Sequence, residues 1–375
     1  MQVVAGAELA YFREVVLGVR RRGFETGRMV FADRWLDHEV AGDLRALVRR
    51  DGIDGIVATV DSREAERRFA AAGVPVVNVS NSLLRPRLPV VTQDDVAVGR
   101  LAAEHLRACG CRVFGFWGHG GASYAEERLA GFREGLGAGA RLERESPGAE
   151  VDAATYARMR DWLAVMPRPL GVFAALDTQA LALMRAARES GLRVPEDVAV
   201  LGAGDEDFWV AFESVPLSSV RLPARRIGQA AAELLERMME RGTRTARGVR
   251  LGGAEIVARR STDVIYAEDE AVGRAVRFIR DRAVENPYVA DVVRAAGVSR
   301  SALQGRFRAA LGRTILEEVQ RVRVARAQAL LAGSEVKLAE VAERCGFPNS
   351  QRFSVLFRQA TGLTPSAYRR QFRKR

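Results

Sequence analysis

Short runs of consecutive apolar residues punctuate the first 265 or so positions: Ile53–Ala58, Val74–Val79, Val113–Trp117, Gly171–Ala175 and Val198–Gly202. They lack polar alternation and end at Gly, Pro or polar clusters, the pattern of strands buried on both faces. Between them lie stretches whose apolar positions recur every three to four residues, such as Val98–Ala108 and Thr178–Ser190, the second stopped by Gly191. This alternation predicts βαβ units around mainly parallel sheets. From about Asp269 onward only the helical period remains, beginning with a predicted helix from about Glu270 to Val284.

The helical tail contains a near-repeat. Val292 and Gly297 recur 49 positions later as Val341 and Gly346, while Leu303, Phe307, Arg308, Gly312 and Thr314 recur 50 later as Phe353, Phe357, Arg358, Gly362 and Thr364. Each copy predicts a helix-turn-helix: a short helix ending at a glycine, an apolar plug (Val298 or Phe347), a capping Ser299 or Asn349, and a second helix. In that second helix Leu303/Phe307 and Phe353/Phe357 form the buried stripe. The opposite face offers Arg300, Ser301, Gln304 and Arg308 in one copy, and Ser350, Gln351, Arg352, Ser354 and Arg358 in the other. Such side chains suit phosphates and base edges in a major groove. A helix over about Ile315–Leu331 joins the two units. Gly305 sits inside the first reading helix, where it predicts fewer base contacts for that unit.

Charge follows the same division. The 375 residues carry a net +11, yet Glu270–Arg375 holds 21 Lys or Arg against 9 Asp or Glu, and the other 269 residues hold 37 against 38. A generally arginine-rich chain would explain the choice of Arg over Lys but not this placement. The surplus therefore predicts a nucleic-acid-binding tail on a near-neutral domain. The three cysteines are too few for a disulfide framework, and no apolar run approaches a membrane span, so a cytoplasmic protein without membrane partners is expected. Three histidines, and no nucleophile, phosphate-loop or metal-ligand spacing, argue against an enzyme, a metal site or a cofactor.

In open parallel sheets ligands gather beyond the carboxyl ends of strands. The polar residues there are Asn78, Ser80–Ser82, Gly118–Ser123, Asp177 and Asp205–Asp207. Asp177, the segment Val194–Gly202 (VPEDVAVLG), the acidic turn at 204–207 and Leu217–Val220 together resemble the effector domain of LacI/GalR-type regulators. The resemblance implies a two-lobed, periplasmic-binding-protein-like α/β fold with a small ligand in the cleft. Glu127–Phe132 (ERLAGF) is similar to the family segment whose arginine reaches a sugar, which implicates Arg128, and Thr92–Asp95 to its acidic helix start, which implicates Asp94. A sugar also needs carboxylates and a flat apolar face, for which Asp177, Asp205 and an aromatic (Tyr11 or Phe12) are the candidates. Gly204 departs from the family's acidic or amide pair, and the family's amino-terminal DNA-binding headpiece is expected to be missing.

The last 105 or so residues resemble the DNA-binding domain of the AraC family, including its carboxyl-terminal signature at Ala360–Arg369 (ATGLTPSAYR). The pairing of the two modules resembles the xylose-operon regulators (XylR type), with residues 1–265 as effector and dimerisation domain and 266–375 as a tandem helix-turn-helix domain. That resemblance implies a transcription regulator, expected to be an activator, with operator DNA, a pentose such as xylose and a second copy of the chain as partners, and RNA polymerase as a further candidate. The alternative is a regulator with a non-sugar effector or with effector binding lost, which Gly204 would permit.

Overall fold

The apolar runs become strands, and the sheets they join divide the first part of the chain into two lobes. The computed structural model describes residues 1–4, 9–28, 31–32, 44–147, 151–206, 213–264, 269–285 and 288–372; Asp207 lies outside them. Two compact units result, Met1–Val264 and Ile265–Arg375.

In the first unit, β1 (Gln2–Val4), β2 (Phe31–Ala32), β3 (Ile56–Ala58) and β4 (Val76–Asn78) form a parallel sheet of order β2-β1-β3-β4. Helix α1 (Ala10–Thr26) and the later α8 (Ala224–Glu240) bury Val15, Val19, Ile227 and Leu235 with strand residues Val3, Val57 and Val77. On the other face Val48 of α2 (Leu44–Arg50) and Phe69 of α3 (Arg63–Ala70) pack with Ile56 and Val76.

The second lobe is a six-stranded sheet of order β12-β10-β9-β8-β6-β7. It consists of β6 (Val113–Trp117), β7 (Arg141–Glu145), β8 (Leu170–Ala174), β9 (Val198–Ala203), β10 (Ser218–Arg221) and β12 (Glu255–Val257). All neighbours are parallel except β10 and β12. Helices α6 (Ala153–Val165) and α7 (Asp177–Glu189) cover one face, burying Trp162, Leu163, Leu183 and Met184 against Val172 and Val200. Since α8 packs on the first sheet while β10 and β12 belong to the second, the chain crosses between lobes more than once. A small parallel pair, β5 (Val91–Gln93) with β11 (Val249–Leu251), sits at these crossings.

Helices α4 (Asp95–Ala108) and α5 (Ser123–Leu136) cross in backbone contact. A Cβ added at Gly99 would lie 2.1 Å from the Arg128 carbonyl oxygen, and one at Gly131 only 1.9 Å from that of Val96. Only glycine permits this approach, which sets the first turn of α4 against the middle of α5, where Arg128 stands.

The second unit is all helix among its described residues. Its first core joins α9 (Glu270–Arg282), α10 (Val289–Ala296), α11 (Arg300–Leu311) and the front of α12 (Ile315–Gly333) through Val272, Ile279, Val292, Leu303, Phe307 and Val319. Its second joins the back of α12 to α13 (Leu338–Arg344) and α14 (Ser350–Thr361) through Ala327, Leu331, Val341, Phe353 and Phe357, with Tyr368 of α15 (Pro365–Phe372) against them. The linking helix is thus common property of both cores. Thr314 and Glu317 begin it with a capping box.

The turn chemistry matches the expectation in both copies. Gly297 and Gly346 take φ of 70° and 76°, which a β-carbon would disfavour. Ser299 accepts from the Ala302 amide at 3.3 Å and Asn349 from that of Arg352 at 2.8 Å. Gly305, by contrast, is ordinary helix with nothing within 4 Å of an added Cβ. Gly305→Ala is therefore expected to stabilise the second unit by about 0.5–1 kcal/mol. A thermal melt of that unit's helical signal that moves down instead would mean the backbone there is not ordinary helix.

Candidate functional site

The carboxyl ends of the two sheets face each other. The loop after β9 reaches the start of α1: the Glu206 carboxylate accepts from the Ala10 amide at 2.8 Å and from Arg13 Nη2 at 3.1 Å. At the other side the amides of Ser123 and Tyr124, opening α5, donate to the carbonyls of Ser82 and Asn81 beyond β4, both at 2.9 Å. These bridges join strand ends and helix starts of the two lobes directly.

Arg128 is buried between the bridges, only 2% exposed, which no ordinary surface arginine would be. Its Nε donates to Asp95 Oδ1 at 2.8 Å, Nη1 bonds the Ala175 carbonyl beyond β8, and the guanidinium lies 5.1 Å from the centre of the Tyr124 ring. Asp95 is fully buried and also accepts from Gln93 Nε2 and Asn81 Nδ2, each at 2.9 Å. Burying both charges is tolerable because they are paired and hydrogen-bonded. Asp95 was not among the expected site residues; its neighbour Asp94 was. The structure uses Asp94 differently, as the N-cap of α4 accepting from the Ala97 amide at 2.9 Å. An acidic pair at a helix start carries no sign of which member turns inward.

Tyr11 lies near this pair, donating its hydroxyl to the Val79 carbonyl at 3.1 Å with its ring edge-on to Phe12. Burial and the nearby Asp95 carboxylate push its phenol well above the ordinary range. Two amide oxygens, Gln93 Oε1 at the end of β5 and Gln179 Oε1 in the first turn of α7, are buried with no hydrogen-bond partner. Buried acceptors of this kind are what a hydroxyl-rich ligand satisfies.

Asp177 opens α7 and accepts from the Glu206 amide and the Ser219 hydroxyl, both at 2.7 Å. Burial raises its carboxyl to about 6 despite the two donors. An acid that holds its proton more tightly when folded lends stability that is complete below about pH 4 and is lost as pH rises through about 6. Asp177→Asn is therefore expected to abolish a decline of about 3 kcal/mol across that window. Urea midpoints of wild type and variant should diverge between pH 4.5 and 7; a constant gap would dissociate Asp177 from the decline.

Asp205, expected to grip the ligand, turns the other way. It has a φ of 55°, and its carboxylate accepts from Arg221 Nε at 2.7 Å and from Arg259 Nη2. Glu206, one residue on, takes the place facing the other lobe. Gly204 has a φ of 134°, and a Cβ there would lie 3.4 Å from Asp177 Oδ2. The contact is ordinary, so it is the backbone conformation that demands glycine at 204, while Gly202, where a Cβ would lie 2.1 Å from Asp177 Oδ1, makes room for Asp177. From Asp177 a hydrogen-bonded chain continues through Ser219 and Asp205 to Arg259, whose amide donates to Ser218 Oγ at 2.8 Å. Ser218 Oγ also accepts from Thr262 Oγ1 at 2.7 Å, and His105 Nε2 lies 2.7 Å from that same hydroxyl.

On the second unit, Arg300, Ser301, Gln304 and Arg308 of α11 are exposed together, as are Ser350, Gln351, Arg352 and Arg358 of α14. Ser354 is the exception: half-buried, its hydroxyl donates back to the Ser350 carbonyl at 2.8 Å. The exposed residue beside it is Val355, an apolar residue on an otherwise polar face.

The two units match known families in chain order. Residues 103–262 match a periplasmic binding protein-like domain and 292–371 a helix-turn-helix domain. The xylose operon regulatory protein of Escherichia coli strain K12 is 30% identical over 97% of this chain and 95% of its own length. That of Haemophilus influenzae is 27% identical over 84% and 85%. Among solved structures, a xylose-binding transcription activator xylR superposes with a TM-score of 0.68 at 28% identity, covering 100% of this chain and 98% of its own. A CelR–cellobiose complex superposes on 69% of this chain and 84% of its own, with a TM-score of 0.57 at 28% identity. The chain belongs to the family of the xylose operon regulatory proteins, transcription regulators rather than enzymes, in which a periplasmic-binding-protein-like domain precedes an AraC-type DNA-binding domain.

Proposed function

We propose that the cleft of the first unit binds a pentose, xylose foremost, and that its occupancy controls how the tandem helix-turn-helix unit engages operator DNA. The observation that carries the sugar is the buried Arg128–Asp95 pair beside the unpartnered amide oxygen of Gln93, which donates to Asp95, with a second such oxygen at Gln179. Hydroxyl groups donate to such oxygens and accept from an arginine fork. Arg128, Asp177 and Glu206 supply the polar contacts and Tyr11 the wall, while Asp94 and Asp205 hold the frame. Similarity to regulators named for xylose favours that sugar over hexoses.

Ligand shifts the protein between arrangements only by its difference in affinity for them. The chain of hydrogen bonds from Asp177 to Thr262 offers a way for cleft occupancy to be felt near the end of the first unit. The regulator acts as a cytoplasmic homodimer joined through the first unit; Leu17 and Phe24, exposed seven residues apart on α1, support such a surface. As an activator it would then present a bound pair to RNA polymerase. Calorimetric titration of the full chain against xylose, arabinose, ribose and glucose tests the sugar, with xylose expected to bind most tightly. No heat with any of them would remove the sugar and favour the non-sugar effector. A light-scattering mass of one chain would remove the dimer.

A further inference from the structure

The two reading helices can be superimposed residue by residue, because Leu303 and Phe307 of α11 stand 50 positions before Phe353 and Phe357 of α14. Under that correspondence Gly305 matches Val355. Both lie on the exposed side, and neither can form a side-chain hydrogen bond. Val355 is 50% exposed, one of few large apolar residues so placed, and it is flanked on its own face by Gln351 and Arg352 one turn before and Arg358 one turn after. A β-branched residue gains nothing there from helix propensity, and it leaves half its surface open.

Its surroundings determine what it can meet. Arginines and a glutamine one turn away belong against phosphates and base edges. The major groove presents to such a face donors, acceptors and a single apolar group, the C5-methyl of thymine. We propose that Val355 packs against a thymine methyl in the groove entered by α14, fixing that pair as T·A, and that Gly305 leaves the equivalent pair under α11 unread. The inference rests on the reading of the second unit as a DNA binder. It adds a specificity that is not carried by hydrogen bonds and that differs between the two halves of one binding site.

The test uses the full chain and a duplex selected by it from a randomised library. Each thymine of that duplex is replaced in turn by uracil, which removes the methyl and leaves every hydrogen-bonding group in place. One thymine in the α14 half is expected to weaken binding about four-fold when replaced, equivalent to about 0.8 kcal/mol for one buried methyl-sized group. Val355→Ser should bind the thymine duplex about as weakly as wild type binds the uracil one, show no further loss on uracil, and keep the salt dependence of wild type. Gly305→Val should create a new sensitivity to uracil in the other half. Indifference of wild type to uracil at every position would overturn the proposal, and so would a Val355→Ser or Val355→Ala protein that stays as sensitive as wild type. Failure of the chain to select any duplex would bring down the DNA-binding reading itself, an outcome distinct from the other two.

Discussion

Raising the salt from about 50 to about 200 mM is expected to weaken operator binding by about 10³- to 10⁵-fold. The cause is the placement of charge. The last 106 residues carry 21 Lys or Arg against 9 Asp or Glu, and Arg300, Arg308, Arg352 and Arg358 stand exposed on the two reading helices. Two such units on one chain, each making about three to five phosphate contacts, would displace about six to ten counterions. A log–log plot of affinity against salt should then fall with a slope of about −5 to −9. Arg358→Gln should make that slope shallower by about one and weaken binding evenly across sequences. Fluorescence anisotropy with the selected duplex measures both; a slope flatter than about −3 would mean that the surplus does not lie on phosphates.

Replacing Asp95 with alanine should destabilise the first unit by about 3–5 kcal/mol with no sugar present. Arg128 would remain 2% exposed without its counterion, and the Gln93 amide would lose its acceptor. Coulomb attraction alone does not set this magnitude. The cost is that of leaving a guanidinium in a low-dielectric interior unpaired, so removing one partner is worse than never having had the pair. Asp94→Ala, one residue earlier, should cost only about 1 kcal/mol, the loss of a helix cap. Urea unfolding of the two variants separates a buried counterion from a cap, and equal losses would contradict the roles given to them.

Legibility differed sharply between the two units. In the second, the glycine turns, the caps and the Leu303/Phe307 and Phe353/Phe357 stripes are all interactions between residues a few positions apart. Local periodicity and capping chemistry announce such contacts, and the 50-residue repeat states them twice. Ser354 is half-buried where the pattern put it on the exposed face, because helical spacing leaves neighbouring residues at the margin of a face unresolved. In the first unit, motif resemblance pointed to Arg128, but its partner lies 33 residues away and the bond from Glu206 to Ala10 spans 196. No local signal reaches that far.

The amino-acid order alone determined the division into a parallel α/β part and a duplicated helical part, and the location of the basic surplus. These follow from hydrophobic period, turn chemistry and charge, which act over one or two turns of chain. Tertiary structure alone decided which member of each acidic pair does what: Asp95 rather than Asp94 beneath Arg128, and Glu206 rather than Asp205 toward the opposite lobe. Consecutive carboxylates have the same chemistry. Only a left-handed φ at Asp205, a capping bond at Asp94 and the close approach of α4 and α5 at Gly99 and Gly131 break the tie, by giving each side chain one direction in which its charge is matched.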